Sequence, residues 1–185
     1  MNVPLERRVF AGIVLSGAAV WVFRSAGAKP VDLSPKFVPI AEFDAAGNLL
    51  GTRTVETIRL SRDEWKKRLA PDQYSMTRLG DTEFAFAGEF WNFHEDGLYR
   101  CVCCGTALFD SKSKFSSGTG WPSFTEPMAK GNVFESQDVS FGIRRTAVGC
   151  RRCEAHLGHV FEDGPPPTGL RYCVNSVALK FAPRG

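Results

Sequence analysis

Alternating apolar and polar positions dominate the second half of the chain and predict strands rather than helices. At the clearest example, Val139, Phe141 and Ile143 alternate with small or polar residues, which is the period of a half-buried strand. Because strands do not alternate with helices, the pattern argues against a doubly wound parallel sheet, and we expect a mainly β domain of antiparallel strands. Further strands are predicted over 98–101, 106–109, 132–135 and, as the longest, 171–181.

A short helical flank precedes these strands. Ser61 followed by Glu64 is a capping box, and it predicts a helix over 62–69. A proline then opens a second short helix over 72–79, which Gly80 ends. We expect both helices to contribute packing rather than chemistry.

The N-terminal residues are typical of an export signal. Arg7 and Arg8 precede an uncharged apolar run over 11–23. A membrane span needs about 20 apolar residues, so this shorter run suits the core of a signal peptide. The paired arginines predict twin-arginine export to the periplasm, with an uncleaved N-terminal anchor as the alternative. The expected organisation is a signal peptide, a leader packed on the domain and one folded domain, over 1–28, 29–60 and 61–185.

Composition narrows the class of protein further. A chain of 185 residues with 43% hydrophobic and 23% charged residues is suited to one globular core. The net charge of +3 is not concentrated in a basic run, so a nucleic-acid partner is not expected. Nothing in the sequence argues for an oligomer, and a monomer is expected.

Four of the six cysteines form two CxxC pairs. Cys101 pairs with Cys104, and Cys150 pairs with Cys153. Four thiolates at this spacing suit tetrahedral Zn²⁺, and a site filled by four protein ligands is structural rather than catalytic. Disulfides are the alternative, because an exported protein meets an oxidising compartment.

Cys173 stands apart from these pairs and is the candidate catalytic thiol. On a strand, Arg171, Cys173 and Asn175 share one face, and a neighbouring cation lowers the pKa of a thiol. His156 and His159 lie close by in sequence, and a histidine can donate a proton to a leaving oxygen.

A glycine-rich loop over 116–124 adds a candidate binding surface. Its Trp121 offers a flat apolar wall that suits a methyl group on sulfur. With its flanking motifs, the chain resembles the methionine-R-sulfoxide reductase B family over roughly 65–181. The motifs that carry this resemblance are Gly97–Cys101, Ser117–Phe124, Cys150–Phe161 and Gly169–Ser176.

The resemblance implies an enzyme with a defined mechanism. Cys173 would attack the sulfur of an R-configured methionine sulfoxide and become a sulfenic acid. The sulfoxide oxygen would be placed and protonated by three residues, and the substrate methyl would pack against Trp121. Two further residues would tune the thiol. The three residues at the sulfoxide oxygen are His156, His159 and Asn175. The two that would tune the thiol are Arg171 and Asp163.

The resemblance also implies a fold, a metal and partners. The expected fold is two antiparallel sheets rolled into a small β domain, with one structural zinc bound by the four paired cysteines. The substrate would be oxidised methionine in proteins or peptides, which the enzyme repairs. A thioredoxin-like protein would be the reductant.

One position departs from the family pattern. Many members carry a resolving cysteine where this chain has Thr119, so the usual internal disulfide is not available. Cys103 is the remaining candidate resolving cysteine, and it would need to approach Cys173 to within about 7 Å between Cα atoms. The alternative is an external thiol that reduces the sulfenic acid directly.

Two other functions are compatible with part of the pattern. A non-catalytic zinc-binding module that recognises a protein would keep the CxxC pairs but would not need Cys173. A thiol redox sensor would keep Cys173 but would not need Trp121.

Overall fold

A computed structural model describes residues 34–142 and 144–184 of the chain. In this part of the chain the fold is mainly β with two short helices, which confirms the predicted class. The strands are β1 (Phe37–Phe43), β2 (Leu49–Glu56), β3 (Gly97–Cys101), β4 (Ala107–Asp110), β5 (Lys114–Phe115), β6 (Ser123–Phe124), β7 (Val133–Asp138), β8 (Arg145–Cys150), β9 (His156–Phe161), β10 (Arg171–Val174) and β11 (Leu179–Pro183).

Two antiparallel sheets make up the body of the domain. The larger has six strands in the order β5-β6-β10-β9-β8-β7, and the smaller has three in the order β11-β3-β4. The outer hairpin of β1 and β2 forms a separate two-stranded sheet. The central strands of the six-stranded sheet, β10 and β9, therefore have a partner on both sides and are held firmly in register.

Aromatic packing joins the two main sheets. Phe109 on β4 stacks on Phe124 of β6 at 4.4 Å between ring centroids, and Tyr99 on β3 meets Phe124 edge-on at 5.0 Å. All three rings are fully buried. Truncating Phe124 to alanine would remove this contact between the sheets and is expected to cost about 3–5 kcal/mol.

The predicted helices are present. Helix α1 (Arg62–Arg68) begins at the predicted capping box, in which Ser61 and Glu64 bind each other's backbone N–H groups. Helix α2 (Pro71–Tyr74) continues as a π-helical turn, Ser75–Leu79. Gly80 ends this turn at φ 80°, a backbone conformation that glycine adopts without strain.

The prediction of a strand over 139–144 is wrong. Ser140–Gly142 forms a 3-10 turn that links β7 to β8, because the Asp138 carboxylate accepts the Ser140 N–H at 2.9 Å. Val139, just before this turn, is exposed, and Ile143 lies outside the described residues.

The long strand predicted over 171–181 is two strands in different sheets. The 3-10 turn Ser176–Ala178 separates β10 from β11. The Glu83 carboxylate accepts the N–H groups of Ser176 and Val177 at 2.7 and 3.2 Å, which takes these groups out of strand pairing. The chain therefore crosses here from the six-stranded to the three-stranded sheet.

A buried asparagine helps to attach the N-terminal hairpin to the domain. Asn132 accepts the Ala41 N–H at 2.8 Å through Oδ1 and donates to the Ala41 carbonyl at 2.9 Å through Nδ2. The boundaries proposed at residues 28 and 60 stay predictions, and the export signal over 1–28 lies outside the described residues. Within residues 34–142 and 144–184, no helix has the length and apolar character needed to cross a membrane.

Candidate active site

The four paired cysteines converge on one point between the two main sheets. Their Sγ atoms all lie within 4.8 Å of one another. Cys101 and Cys153 are 3.6 Å apart, and Cys104 and Cys150 are 3.5 Å apart. Tetrahedral zinc with Zn–S bonds near 2.3 Å requires sulfur atoms about 3.8 Å apart, so the four thiols fit a structural zinc. All six cysteines lie in the described part of the chain and are free, so the disulfide alternative is wrong.

Each CxxC pair is formed by a tight turn that follows a strand. After β3, Gly105 donates its N–H to the Cys101 carbonyl at 2.8 Å, with Gly105 at φ 77°. After β8, the Glu154 N–H donates to the Cys150 carbonyl at 2.8 Å, and Glu154 has φ 56°. Both turns use left-handed backbone, and each directs two sulfur atoms to the same side.

Arg78 lies directly against the metal site. Its guanidinium donates to the Cys153 carbonyl at 2.8 Å and to Cys153 Sγ at 3.6 Å. It also stacks over the Trp65 ring at 4.1 Å. A cation at this place offsets the negative charge that four thiolates bring to one zinc ion.

A second site surrounds Cys173, at the centre of the six-stranded sheet. Cys173 lies opposite His159 on β9 and opposite Ser123 on β6. Cys173, His159, Asn175 and Trp121 line one cavity of about 120 Å³. The sheet register therefore brings together four residues that the sequence singled out.

Electrostatics at the thiol differ from the sequence-based expectation. Burial raises the pKa of Cys173 above its ordinary value, while the Arg171 guanidinium and the Thr119 hydroxyl act in the opposite direction. Arg171 is itself held by Asp163 through a bidentate pair at 2.8 and 2.7 Å. The predicted effect of Arg171 is present, but burial outweighs it.

The two histidines have different surroundings. His159 Nε2 lies 2.7 Å from Asp138 Oδ2, and Arg145 Nη2 lies 2.8 Å from the same oxygen. His156 packs against the His159 ring at 5.3 Å between centroids, and its Nε2 has no hydrogen-bond partner among the described residues. Burial and the nearby His159 lower the pKa of His156 to about 4, so it is neutral at pH 7.

Glu83 fixes two of the cavity residues and was missed by the sequence reasoning. Its carbonyl accepts the Trp121 indole N–H at 3.1 Å, and its own N–H donates to Asn175 Oδ1 at 3.1 Å. Asn175 Nδ2 also donates to the Leu157 carbonyl at 3.2 Å. Asp138 and Arg145 were missed as well, because nothing in their local sequence signals a role.

The candidate resolving cysteine lies elsewhere. Cys103 sits in the first CxxC turn, and its Sγ donates to Thr77 Oγ1 at 3.4 Å beside the metal ligands. Thr119, like Arg171, hydrogen-bonds Cys173 through its side chain, and the Thr119 hydroxyl lies 2.8 Å from that of Ser117. Ser117 in turn contacts Ser123 at 2.8 Å, so hydroxyl groups surround one side of the thiol.

The fold and these two sites define a class of protein. It is a small antiparallel β domain stabilised by a four-cysteine metal site, and it carries a separate cysteine in a cavity with histidine, asparagine and tryptophan.

Comparison with known proteins narrows this class. The SelR domain family matches residues 69–183. Peptide methionine sulfoxide reductase MsrB of Pseudomonas fluorescens strain Pf-5 is 53% identical over 130 residues, which cover 70% of this chain and 100% of the relative. MsrB of Synechococcus sp. is 52% identical over 130 residues, covering 70% of this chain and 96% of the relative. The chain therefore belongs to the SelR-domain family of oxidoreductases, which confirms the family predicted from its motifs.

Proposed function

We propose that this chain is a peptide-methionine (R)-S-oxide reductase with Cys173 as its nucleophile. The observation that carries the proposal is the cavity in which Cys173 meets His159, Asn175 and Trp121. Support also comes from relatives at 52–53% identity whose name is peptide methionine sulfoxide reductase. Neither a zinc-binding recognition module nor a redox sensor needs this combination of groups.

The reaction divides among the cavity residues. The Cys173 thiolate attacks the sulfoxide sulfur, and the oxygen passes to Cys173, so that methionine leaves and a sulfenic acid stays on the enzyme. Trp121 binds the methyl group. His159 supplies a proton to the oxygen, because Asp138 holds its Nε2–H and leaves Nδ1 as the nitrogen that can exchange a proton with substrate.

The remaining site residues act through these groups. Asn175 orients the sulfoxide oxygen with the amide N–H that its bond to the Leu157 carbonyl does not use. Arg171, held by Asp163, favours the thiolate. His156 packs behind His159 and limits the positions that the ring can take.

An external thiol completes the cycle. The sulfenic acid reacts with a dithiol of the thioredoxin type, giving back the Cys173 thiol, one disulfide on the reductant and water. This route is favoured because Cys103 contacts Thr77 at the metal site, whereas Thr119 contacts Cys173. The four CxxC cysteines bind the zinc, which stabilises the fold and takes no part in these steps.

The substrate and compartment follow from the same proposal. We place the enzyme in the periplasm as a monomer, exported by the signal over 1–28, where it repairs oxidised methionine in proteins. Export is tested by cell fractionation of the variant in which Arg7 and Arg8 are both lysine. Retention of this variant in the cytoplasm supports twin-arginine export, and unchanged export argues against it.

The activity itself is tested with separated R- and S-sulfoxide substrates and a dithiol reductant. Wild type is expected to reduce only the R epimer, and Cys173→Ser is expected to abolish reduction. Cys103→Ser is the matched control and is expected to retain turnover. Reduction of the S epimer, or activity that survives Cys173→Ser, would show the assignment to be wrong.

A further inference from the structure

Three exposed aromatic side chains lie in the loop before β3. Phe84 is 88% exposed, Phe86 57% and Trp91 37%, and the rings of Phe86 and Trp91 meet edge-on at 5.3 Å. We call these three residues the aromatic rim. Clustered exposed apolar surface on a soluble protein commonly marks a binding site.

The aromatic rim is fastened to the loop that carries Trp121. The Phe86 N–H donates to the Gly120 carbonyl at 2.8 Å. A Cβ atom added to Gly120 would lie 2.7 Å from Phe86 N and 2.9 Å from Ala85 Cβ, so the two loops touch backbone to backbone. Phe86 has φ 65°, a strained value for a bulky residue, and strain of this kind collects at functional sites.

The rim is also joined to the cavity through the chain. Thr82 lines the cavity beside Cys173. Glu83 binds both Trp121 and Asn175 through its backbone, and Phe84 is the next residue. Phe84 therefore directly follows, along the chain, the residue whose backbone holds two side chains of the cavity.

We propose that the aromatic rim binds apolar side chains that flank an oxidised methionine in an extended polypeptide segment. This inference rests on the proposed function and names its substrate class. Methionine is mainly a core residue, and its oxidation disrupts packing, so its sequence neighbours are often apolar and become exposed with it. Aromatic rings gain affinity from contact with such side chains.

The size of the rim favours this occupant over a second copy of the chain. The exposed parts of the three rings amount to roughly 400 Å². A stable protein interface needs about 800 Å² from each partner. A polypeptide segment of a few residues is matched to the smaller area of the aromatic rim.

The test compares three substrates that share an R-sulfoxide. They are N-acetylmethionine amide sulfoxide, a peptide with leucine and phenylalanine beside the sulfoxide, and the same peptide with serine at those positions. Phe84→Ser removes the most exposed of the three rings, and its combination with Phe86→Asn removes two of them. Asparagine tolerates the left-handed backbone at position 86. Leu50→Ser is the control, because Leu50 is 67% exposed on the N-terminal hairpin.

The double substitution is expected to lower kcat/KM for the apolar peptide by about three- to tenfold and to change kcat/KM for the other two substrates less than about twofold. Equal losses on all three substrates, or no loss on the apolar peptide, would overturn the inference while the proposed function stands. A wild-type dimer that dissociates on Phe84→Ser would assign the rim to self-association instead. No reduction of any sulfoxide by wild type would refute the proposed function itself.

Discussion

Asp138 Oδ2 lies 2.7 Å from His159 Nε2 and joins the connection between β7 and β8 to the centre of the sheet. Hydrogen bonds from Ser140, and then from His159, hold the pKa of Asp138 well below its ordinary value. The carboxylate is therefore ionised throughout the neutral range. It fixes the tautomer and the orientation of the His159 ring.

Asp138→Asn is expected to lower kcat by about ten- to a hundredfold, because an amide can both donate and accept and no longer fixes the His159 tautomer that presents Nδ1 to the substrate. KM should change less than about twofold, because Asp138 does not line the substrate cavity, whereas a purely structural defect would alter both constants. The lowered pKa of Asp138 means that its favourable contribution is present above pH 4 and disappears only as the pH falls further. Steady-state kinetics at pH 7, where Asp138 is ionised, measure both constants.

Asp96→Asn is the control for this change, since Asp96 pairs with Arg184 instead. It should leave kcat unaltered. An Asp138→Asn enzyme with wild-type kcat would contradict the assigned role.

His156 makes the stability of the domain depend on pH. Its folded-state pKa of about 4 lies below the unfolded value near 6.5, with His159, Asp138 and Arg145 as the charged groups around it. The unfolded state binds the proton more tightly, so this stability is complete above pH 6.5 and declines as the pH falls towards 4. The loss amounts to about 3 kcal/mol.

Urea unfolding of wild type and His156→Gln at pH 7 and pH 4.5 measures this pH-dependent part of the free energy of unfolding. The variant is expected to lose less stability between the two pH values than wild type does. Because other groups titrate equally in both proteins, identical losses would rule out His156 as the source.

Thr119→Cys is expected to create an internal resolving cysteine. The Thr119 side chain already contacts Cys173, so a thiol at position 119 starts next to the sulfenic acid. After one turnover without reductant, the variant should lose two titratable thiols and wild type one. Thr119→Ser is the control. Loss of a single thiol in the Thr119→Cys protein would mean that the two positions do not reach disulfide geometry.

Arg78→Met is expected to speed transfer of zinc to a chelator by about tenfold, because the outer contact to Cys153 is lost. Arg68→Met removes an exposed arginine from the end of α1 and serves as control. Complete zinc removal should lower the Tm of every variant, since binding energy is folding energy at such sites. Equal release rates for the two variants would exclude a role for Arg78.

The sequence predicted what depends on short spacing. The two CxxC pairs indicated the metal site, and the capping box at Ser61 located α1. The cavity residues came from a family resemblance, since Trp121 and Cys173 are 52 positions apart and meet only through the pairing of β6 with β10.

The sequence failed where a side chain competes with strand pairing. Residues 139–144 have the period of a strand, but Asp138 binds the Ser140 N–H and turns the chain. Likewise, the strand that begins at Arg171 is ended by Glu83, which lies 88 residues before Arg171 in the sequence. Contacts over such distances leave no local pattern, so Asp138 and Glu83 were missed.

The crossing between β10 and β11 determines how far the domain can be divided. Cys173 lies on β10, and six residues later Leu179 pairs with the metal ligand Cys101 on β3. This short segment therefore connects the thiol cavity directly to the zinc site, and the two sites are not separable modules. A designer who transplants the cavity onto another scaffold must carry the three-stranded sheet and its metal with it.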